Sequence, residues 1–234
     1  EVIAEEWGLS REELDAYSLE SHRRALAAIE AGRFENEIIA IEVTNPHVGV
    51  RFAVDETPRS DTSAEKLAAL QPAFLPDGKV TAGNSSQIVD GAAAVLIASE
   101  GACSRLGLEP RGRFVSFGLA GVDPHRMLHG NPQACAKALA KAGIGWDDVA
   151  VIEINEAFAS VVLQAVRDSG LEERLGDVNP NGGGISLGHP LGATGARITA
   201  TLLNELERRE ASYGVATMCI GFGQAIAALV ERLP

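Results

Sequence analysis

Aromatic residues are scarce in this chain of 234 residues; Phe, Tyr and Trp together make up 5% of it. A core with few large rings has to be closed by small and aliphatic side chains. The 25 glycines, with abundant alanine, suit helices packed tightly on sheets. Only three cysteines occur, Cys103, Cys135 and Cys219. An odd number with no paired spacing argues against a disulfide framework and against a zinc site. No metal is therefore expected, and the compartment expected is a reducing, cytoplasmic one. Basic residues are outnumbered, 20 Lys and Arg against 32 Asp and Glu, for a net charge of -12. No basic stripe is present for a nucleic-acid backbone, so an anionic ligand would depend on a few local cations and on helix N-termini. No apolar run is long enough to span a bilayer, and no membrane partner is expected. The chain starts at Glu1 rather than Met, so a processed or truncated N-terminus is expected.

What is present is a 46% hydrophobic chain, enough for one sizeable core. Ser10 and Glu13 form a capping box ahead of a helix over 11–31, with Leu14, Tyr17, Ala25 and Ala28 on one stripe and Gly32 just past its end. A short strand is expected at 37–43. The stretch 44–79, rich in Pro, Asp and Thr, reads as irregular with one short helix around 64–70; so long a loop region is usually functional. The apolar run 91–99 reads as a buried strand or a small-residue helix. Beyond it the pattern is regular. Strands at 113–121, 149–154, 213–219 and 224–232 are interleaved with helices at 132–142, 157–168 and 192–210, and a turn falls at 220–223. Alternating helices and wholly apolar strands predict an α/β layered domain.

Three places could carry chemistry. In INEAF, Asn155 and Glu156 sit where a strand meets a helix, a junction that commonly faces a ligand crevice. A helix cap is the competing reading of Asn155. In NPNGGGISLGHPLGATGAR, His189 stands between Gly188 and Pro190, just ahead of a helix start. The glycines permit close backbone approach, and the helix N-terminus turns its partial positive end to the imidazole. That setting suits a histidine that activates a nucleophile or donates to an oxyanion. A phosphate loop is the weaker reading, because the Lys-Ser/Thr ending is missing. In TMCIGFGQA, Cys219 ends an apolar strand and runs into a glycine turn. A buried small hydrophobe is one reading; a thiol acting as acid/base or nucleophile beside a free Gly221 amide is the other. Cys103 and Cys135 read as structural.

These three blocks, in this order and preceded by TAGNSSQIVDGAAAVL, resemble the thiolase family over essentially the whole chain. The resemblance implies a thiolase-like layered α/β fold. Residues 1–80 would belong to the loop domain that receives coenzyme A, 81–110 would end the N-terminal half, and 111–234 would form the C-terminal half. It implies an acyltransferase that cleaves 3-oxoacyl-CoA, or runs the reverse Claisen condensation, through a cysteine acyl-enzyme. None of the three cysteines here occupies the place of the family's nucleophile. On the family's pattern His189 deprotonates that nucleophile and binds the thioester oxygen, and Asn155 holds a water of the same oxyanion hole. Cys219 moves the second proton, and the Gly221 amide binds the acyl-enzyme oxygen. For coenzyme A, a substrate rather than a resident cofactor, the resemblance points to Arg59, Lys66, Ala73, Phe74, Ala82 and Ser86, with Met127 and Phe158 along the pantetheine and acyl end. A homodimer or homotetramer is implied. The turn departs from the family's glycine run, reading GFGQ, so Phe222 and Gln224 put the acyl chain length in question. Two other readings stand beside this one: a non-catalytic CoA-binding module, and a Cys-His hydrolase using Cys219 and His189.

Overall fold

The Ser10 hydroxyl accepts the Glu13 amide while the Glu13 carboxylate accepts the Ser10 amide, so two donors that a helix start leaves free are satisfied. Helix α2 (Arg11–Glu30) follows from that box, after a short α1 (Val2–Glu6), and it buries Leu14, Tyr17, Ala25 and Ala28. The computed structural model describes residues 1–45 and 48–234. Next come two antiparallel strands, β1 (Ile41–Asn45) and β2 (Val48–Phe52). The strand expected at 37–43 is thus displaced. Glu37 and Ile38 instead close a turn onto the Phe34 carbonyl, and register is set by pairing with β2, inside a stretch expected to be irregular. Residues 46 and 47 of that stretch lie outside the described residues.

Helix α3 (Ala64–Ala68) is capped by Ser63, and a 3₁₀ turn at Ala82–Asn84 is capped by Thr81. The buried strand or helix expected at 91–99 is not formed. No strand among the described residues lies beside it to pair its backbone, and Leu96 and Ile97 stand 81% and 73% exposed. It leads instead into α4 (Glu100–Leu106), capped by Ser99.

The rest is a three-layer unit. Its sheet contains β3 (Gly112–Gly121), β4 (Val149–Ile154), β5 (Tyr213–Ile220) and β6 (Gln224–Arg232), in the order β3-β6-β5-β4, with β4 and β5 parallel and the other pairs antiparallel. On one face lie α5 (Asn131–Ala142) and α6 (Ala159–Asp168), whose Ala134, Ala138, Val162 and Ala165 meet Ile152, Ile154, Val215 and Leu229. On the other lies α8 (Thr194–Arg208), with Ile198, Leu202 and Leu206 against Val151, Ala216 and Val230; the one-turn α7 (Gly184–Leu187) comes shortly before it. Few aromatics are needed because α5 comes close to β3: a methyl group on Gly118 would collide with the Ala134 carbonyl, and Ser116 reaches the Ala138 carbonyl at 2.6 Å. Among the described residues no helix is long and apolar enough to cross a membrane.

Candidate active site

Because β4 and β5 are parallel, their carboxyl ends coincide, and the Asn155 amide is tied to the Thr217 carbonyl at 3.0 Å. Asn155 therefore leaves the sheet beside the strand that ends in Cys219. It does not cap α6: that helix starts later than expected, after Phe158, with no side-chain cap. Asn155 is 1% exposed, and its amide nitrogen lies 3.4 Å from His189 Nε2.

His189 is held from three sides. Its backbone amide donates to the Gln87 carbonyl at 3.0 Å, which fixes the loop against the segment before it. Gly188, at φ 86°, makes the turn that delivers it, and a side chain there would strike Val89. On the ring, Nδ1 lies 2.6 Å from Thr194 Oγ1, at the start of α8, and that hydroxyl lies 3.2 Å from the Pro190 carbonyl. A hydroxyl has one proton to give. With that proton on the Pro190 carbonyl, Nδ1 is the donor to Thr194 and Nε2 is the unprotonated nitrogen, which accepts from the Asn155 amide. Burial, followed by the charge of Arg197, holds the imidazole below its ordinary pKa, so the ring is a neutral base at neutral pH.

Glu156, the neighbour of Asn155, is fully buried and acts as a lock. It accepts from the Tyr17 hydroxyl at 2.7 Å, the Ser21 hydroxyl at 2.7 Å, the Asn179 amide at 3.2 Å and the Ile185 backbone amide at 3.0 Å. These bonds pin α2 and the glycine loop to the end of β4. Gly183 is required here, since a Cβ would stand 2.5 Å from the Glu156 carboxyl carbon. Glu156, Thr194 and Gln87 had no role assigned by the sequence. Only the Glu-after-Asn spacing at the strand end hinted at the first; the partners of the other two come from distant segments.

Cys219 is buried, packed among Ile3, Val161, Trp7, Leu128 and Phe158, and burial pushes its thiol up to about 11. No hydrogen bond joins it to His189 among the described residues. After it, Gly221 is exposed and its amide meets no acceptor among the described residues, while Phe222 and Gly223 both take positive φ to turn the chain into β6. Cys135 is buried on α5, and Cys103 is half-buried on α4.

Several residues singled out for coenzyme A gather nearby. The Ser86 amide donates to the Ala157 carbonyl at 3.0 Å, and Ser85 bridges Phe158. Phe74 meets Phe158 edge-on at 6.1 Å, and the Ala73 amide is held by the Val80 carbonyl at 2.8 Å. Ala82 is exposed on its 3₁₀ turn, and Met127 is half-buried at φ 58°. The two cations lie on the surface. The Arg59 amide is held by His22 Nδ1 at 3.1 Å, and Lys66 is engaged by Asp61 at 2.8 Å. Among the described residues no cluster of His, Cys, Asp and Glu could hold a metal ion.

Fold and site together define an α/β protein in which Asn155, His189 and Cys219 lie about the carboxyl ends of adjacent parallel strands, the place where such sheets commonly bind ligands. The chain belongs to the thiolase family: residues 1–101 match the thiolase N-terminal domain and residues 108–232 the thiolase C-terminal domain. It is 48% identical over its whole length to a 3-ketoacyl-CoA thiolase of Escherichia fergusonii, of which it covers 61%. It is 51% identical, again over its whole length, to a steroid 3-ketoacyl-CoA thiolase of Mycobacterium tuberculosis, covering 55% of that protein. The crystal structure of human mitochondrial 3-ketoacyl-CoA thiolase in complex with CoA superposes with a TM-score of 0.91 at 42% identity, over 99% of this chain and 57% of that one. The chain thus spans about three-fifths of the length of such relatives.

Proposed function

We propose that this chain is the part of a thiolase that supplies the base, the second proton carrier and oxyanion donors for transfer of an acyl group between carbon and coenzyme A sulfur. The observation that carries this is the Asn155–His189–Thr194 chain of contacts at the end of β4, set beside the end of β5, where Cys219 and the free Gly221 amide lie. Thiolysis of a 3-oxoacyl-CoA needs a nucleophilic cysteine, a base to deprotonate it, a second group to move the thiol or α-carbon proton, and donors for two oxyanions. His189 Nε2 is the first base. Asn155 orients it and holds a water over the thioester oxygen. Cys219, kept protonated by burial, is a proton carrier rather than a standing thiolate, and the Gly221 amide receives the acyl oxygen. The nucleophile is a cysteine other than Cys103, Cys135 and Cys219.

In the same reading residues 1–80 are part of the loop domain, 81–110 the end of the N-terminal half and 111–234 the C-terminal half. Coenzyme A lies along Ala73, Phe74, Ala82 and Ser86 with Arg59 and Lys66 near its phosphates, and its pantetheine and acyl end meets Met127 and Phe158. The working protein is a cytoplasmic homodimer or homotetramer of fatty-acyl or steroid-acyl breakdown. The names of the relatives support 3-ketoacyl-CoA substrates, and the CoA complex of the human enzyme supports the ligand.

The hydrolase reading needs Cys219 as nucleophile. A buried thiol raised to about 11 and unbonded to the histidine is poorly suited to that role. The test is trapping with a thiol-directed acyl-CoA analogue, followed by peptide mass spectrometry, on this chain and on the intact natural polypeptide that contains it. Label on a further cysteine of the intact protein, lost together with thiolysis in His189→Ala, is the expected result. Label on Cys219 of this chain alone would replace the thiolase reading with the hydrolase one.

A further inference from the structure

Behind His189 lies a charge that the proposed chemistry does not use. Arg197 is three residues past Thr194 and four before Thr201, so all three share a face of α8. Thr194 touches the imidazole, and Thr201 donates to Glu37 at 2.8 Å. Between them, the Nε, Nη1 and Nη2 atoms of Arg197 are sealed from solvent and meet no acceptor among the described residues. Facing it from β4 is Glu153, 1% exposed, whose Oε1 is equally without a partner. Glu37 and Asp55, from the segments before and after the β1–β2 pair, complete its surroundings, and none of these carboxylates forms an ion pair with the guanidinium.

A buried guanidinium ordinarily sits on a carboxylate, because leaving it unpaired is costly. Here one of the three carboxyls around it is switched off: burial pushes Glu153 up to about 8, so it is protonated at neutral pH, while Glu37 and Asp55 act on the guanidinium by charge without bonding to it. The groups touching His189 are the Asn155 amide from the end of β4, Thr194 from α8 and the Gln87 backbone; Arg197, one turn further along α8, acts on it by charge, and Asp90 is exposed on the Gln87 segment. Besides burial, Arg197 is the one charged group that acts on the ring among the described residues.

We propose that Arg197 is a positioning residue for His189: a buried cation without a hydrogen-bonded partner among the described residues, one helical turn beyond the Thr194 that touches the imidazole, which opposes a second positive charge there and keeps Nε2 available as a base. The inference rests on the role given to His189 above, yet its test uses neither substrate nor turnover, so failure of one leaves the other standing.

The test is an NMR titration of the ¹⁵N-histidine-labelled chain, with the His189 signal assigned by its loss in His189→Asn. Arg197→Met and Arg197→Gln remove the charge and no hydrogen bond, so both are expected to fold. In both, the His189 midpoint moves to higher pH and the protonated fraction at pH 7 rises. In Arg197→Lys, which keeps the charge, it stays near its original position. A purely structural arginine would leave the midpoint unmoved in Met and Gln, and that result overturns the proposal. Loss of fold in both neutral variants, read by circular dichroism, overturns it too, because the guanidinium would then hold contacts that the proposal denies.

Discussion

Phe222 stands at the tip of the β5–β6 turn with φ 63° and its ring 82% exposed. A bulky L-residue in the left-handed region costs about 1–2 kcal/mol, and a ring in solvent returns little packing. Glycine would relieve that strain but adds about 0.5–1 kcal/mol of unfolded-chain entropy. Phe222→Gly is therefore expected to stabilise the chain by about 0.5–1 kcal/mol in urea denaturation. A clear loss would mean that the ring is packed in solution. Strain retained next to the Gly221 amide is the kind a functional site keeps, and the sequence showed the departure as GFGQ without showing its backbone. His189 and Asn155 were legible because glycines and a strand end flag them locally. Thr194, Arg197 and the Glu156 lock were not, because their meaning lies in contacts with segments far away in the chain: Glu156 is read only once Tyr17 and Ser21 are seen to touch it.

At the scale of elements, β4 carries a carboxyl in its apolar run. Burial raises Glu153 from 4.5 to about 8, an effect that the charge of Arg197 partly offsets. The folded chain thus keeps this proton up to about pH 8, while the unfolded chain gives it up above 4.5. Between those values the folded state binds more protons, so its stability is fully present below the unfolded pKa and falls as pH rises through the folded one. Glu153→Gln removes this slope. The variant is expected to exceed the original at pH 9 by on the order of a few kcal/mol, with the gap closing toward pH 5, in urea midpoints taken at both. Equal midpoint differences at the two pH values would place the ionised carboxylate in a contact that satisfies it. The pattern that marked 149–154 as a strand is also why the C-terminal elements were readable to within about two residues: apolar runs of strand length between helices with one apolar face. The same rule misled at 91–99, where apolarity was taken for burial. Strands β1 and β2 were misplaced or missed because a two-stranded pair with exposed Val43, Val50 and Phe52 has no core side to print on the sequence.

Over the whole molecule, apolar groups gather where α/β layers would ordinarily cover them. Ile88, Leu96 and Ile97 stand open on the segment before α4, and Phe117 and Leu119 on β3, an edge strand of the four-stranded sheet. An exposed edge with apolar residues invites pairing with another chain. The chain also covers only about three-fifths of its thiolase relatives, so their remaining length has no counterpart here. A net charge of -12 opposes association at long range but is screened within about 8 Å at physiological salt, whereas apolar contact is not. The chain on its own is therefore expected to self-associate, with a mass by light scattering that rises with concentration and with added salt. Leu96→Lys combined with Ile97→Glu should bring it toward the monomer with the helical circular-dichroism signal unchanged, since neither side chain is part of a buried cluster. A monomer at all concentrations and salts before any substitution would mean that the segment folds back over its own apolar residues in solution, and that the strand read from its sequence finds cover within this chain after all.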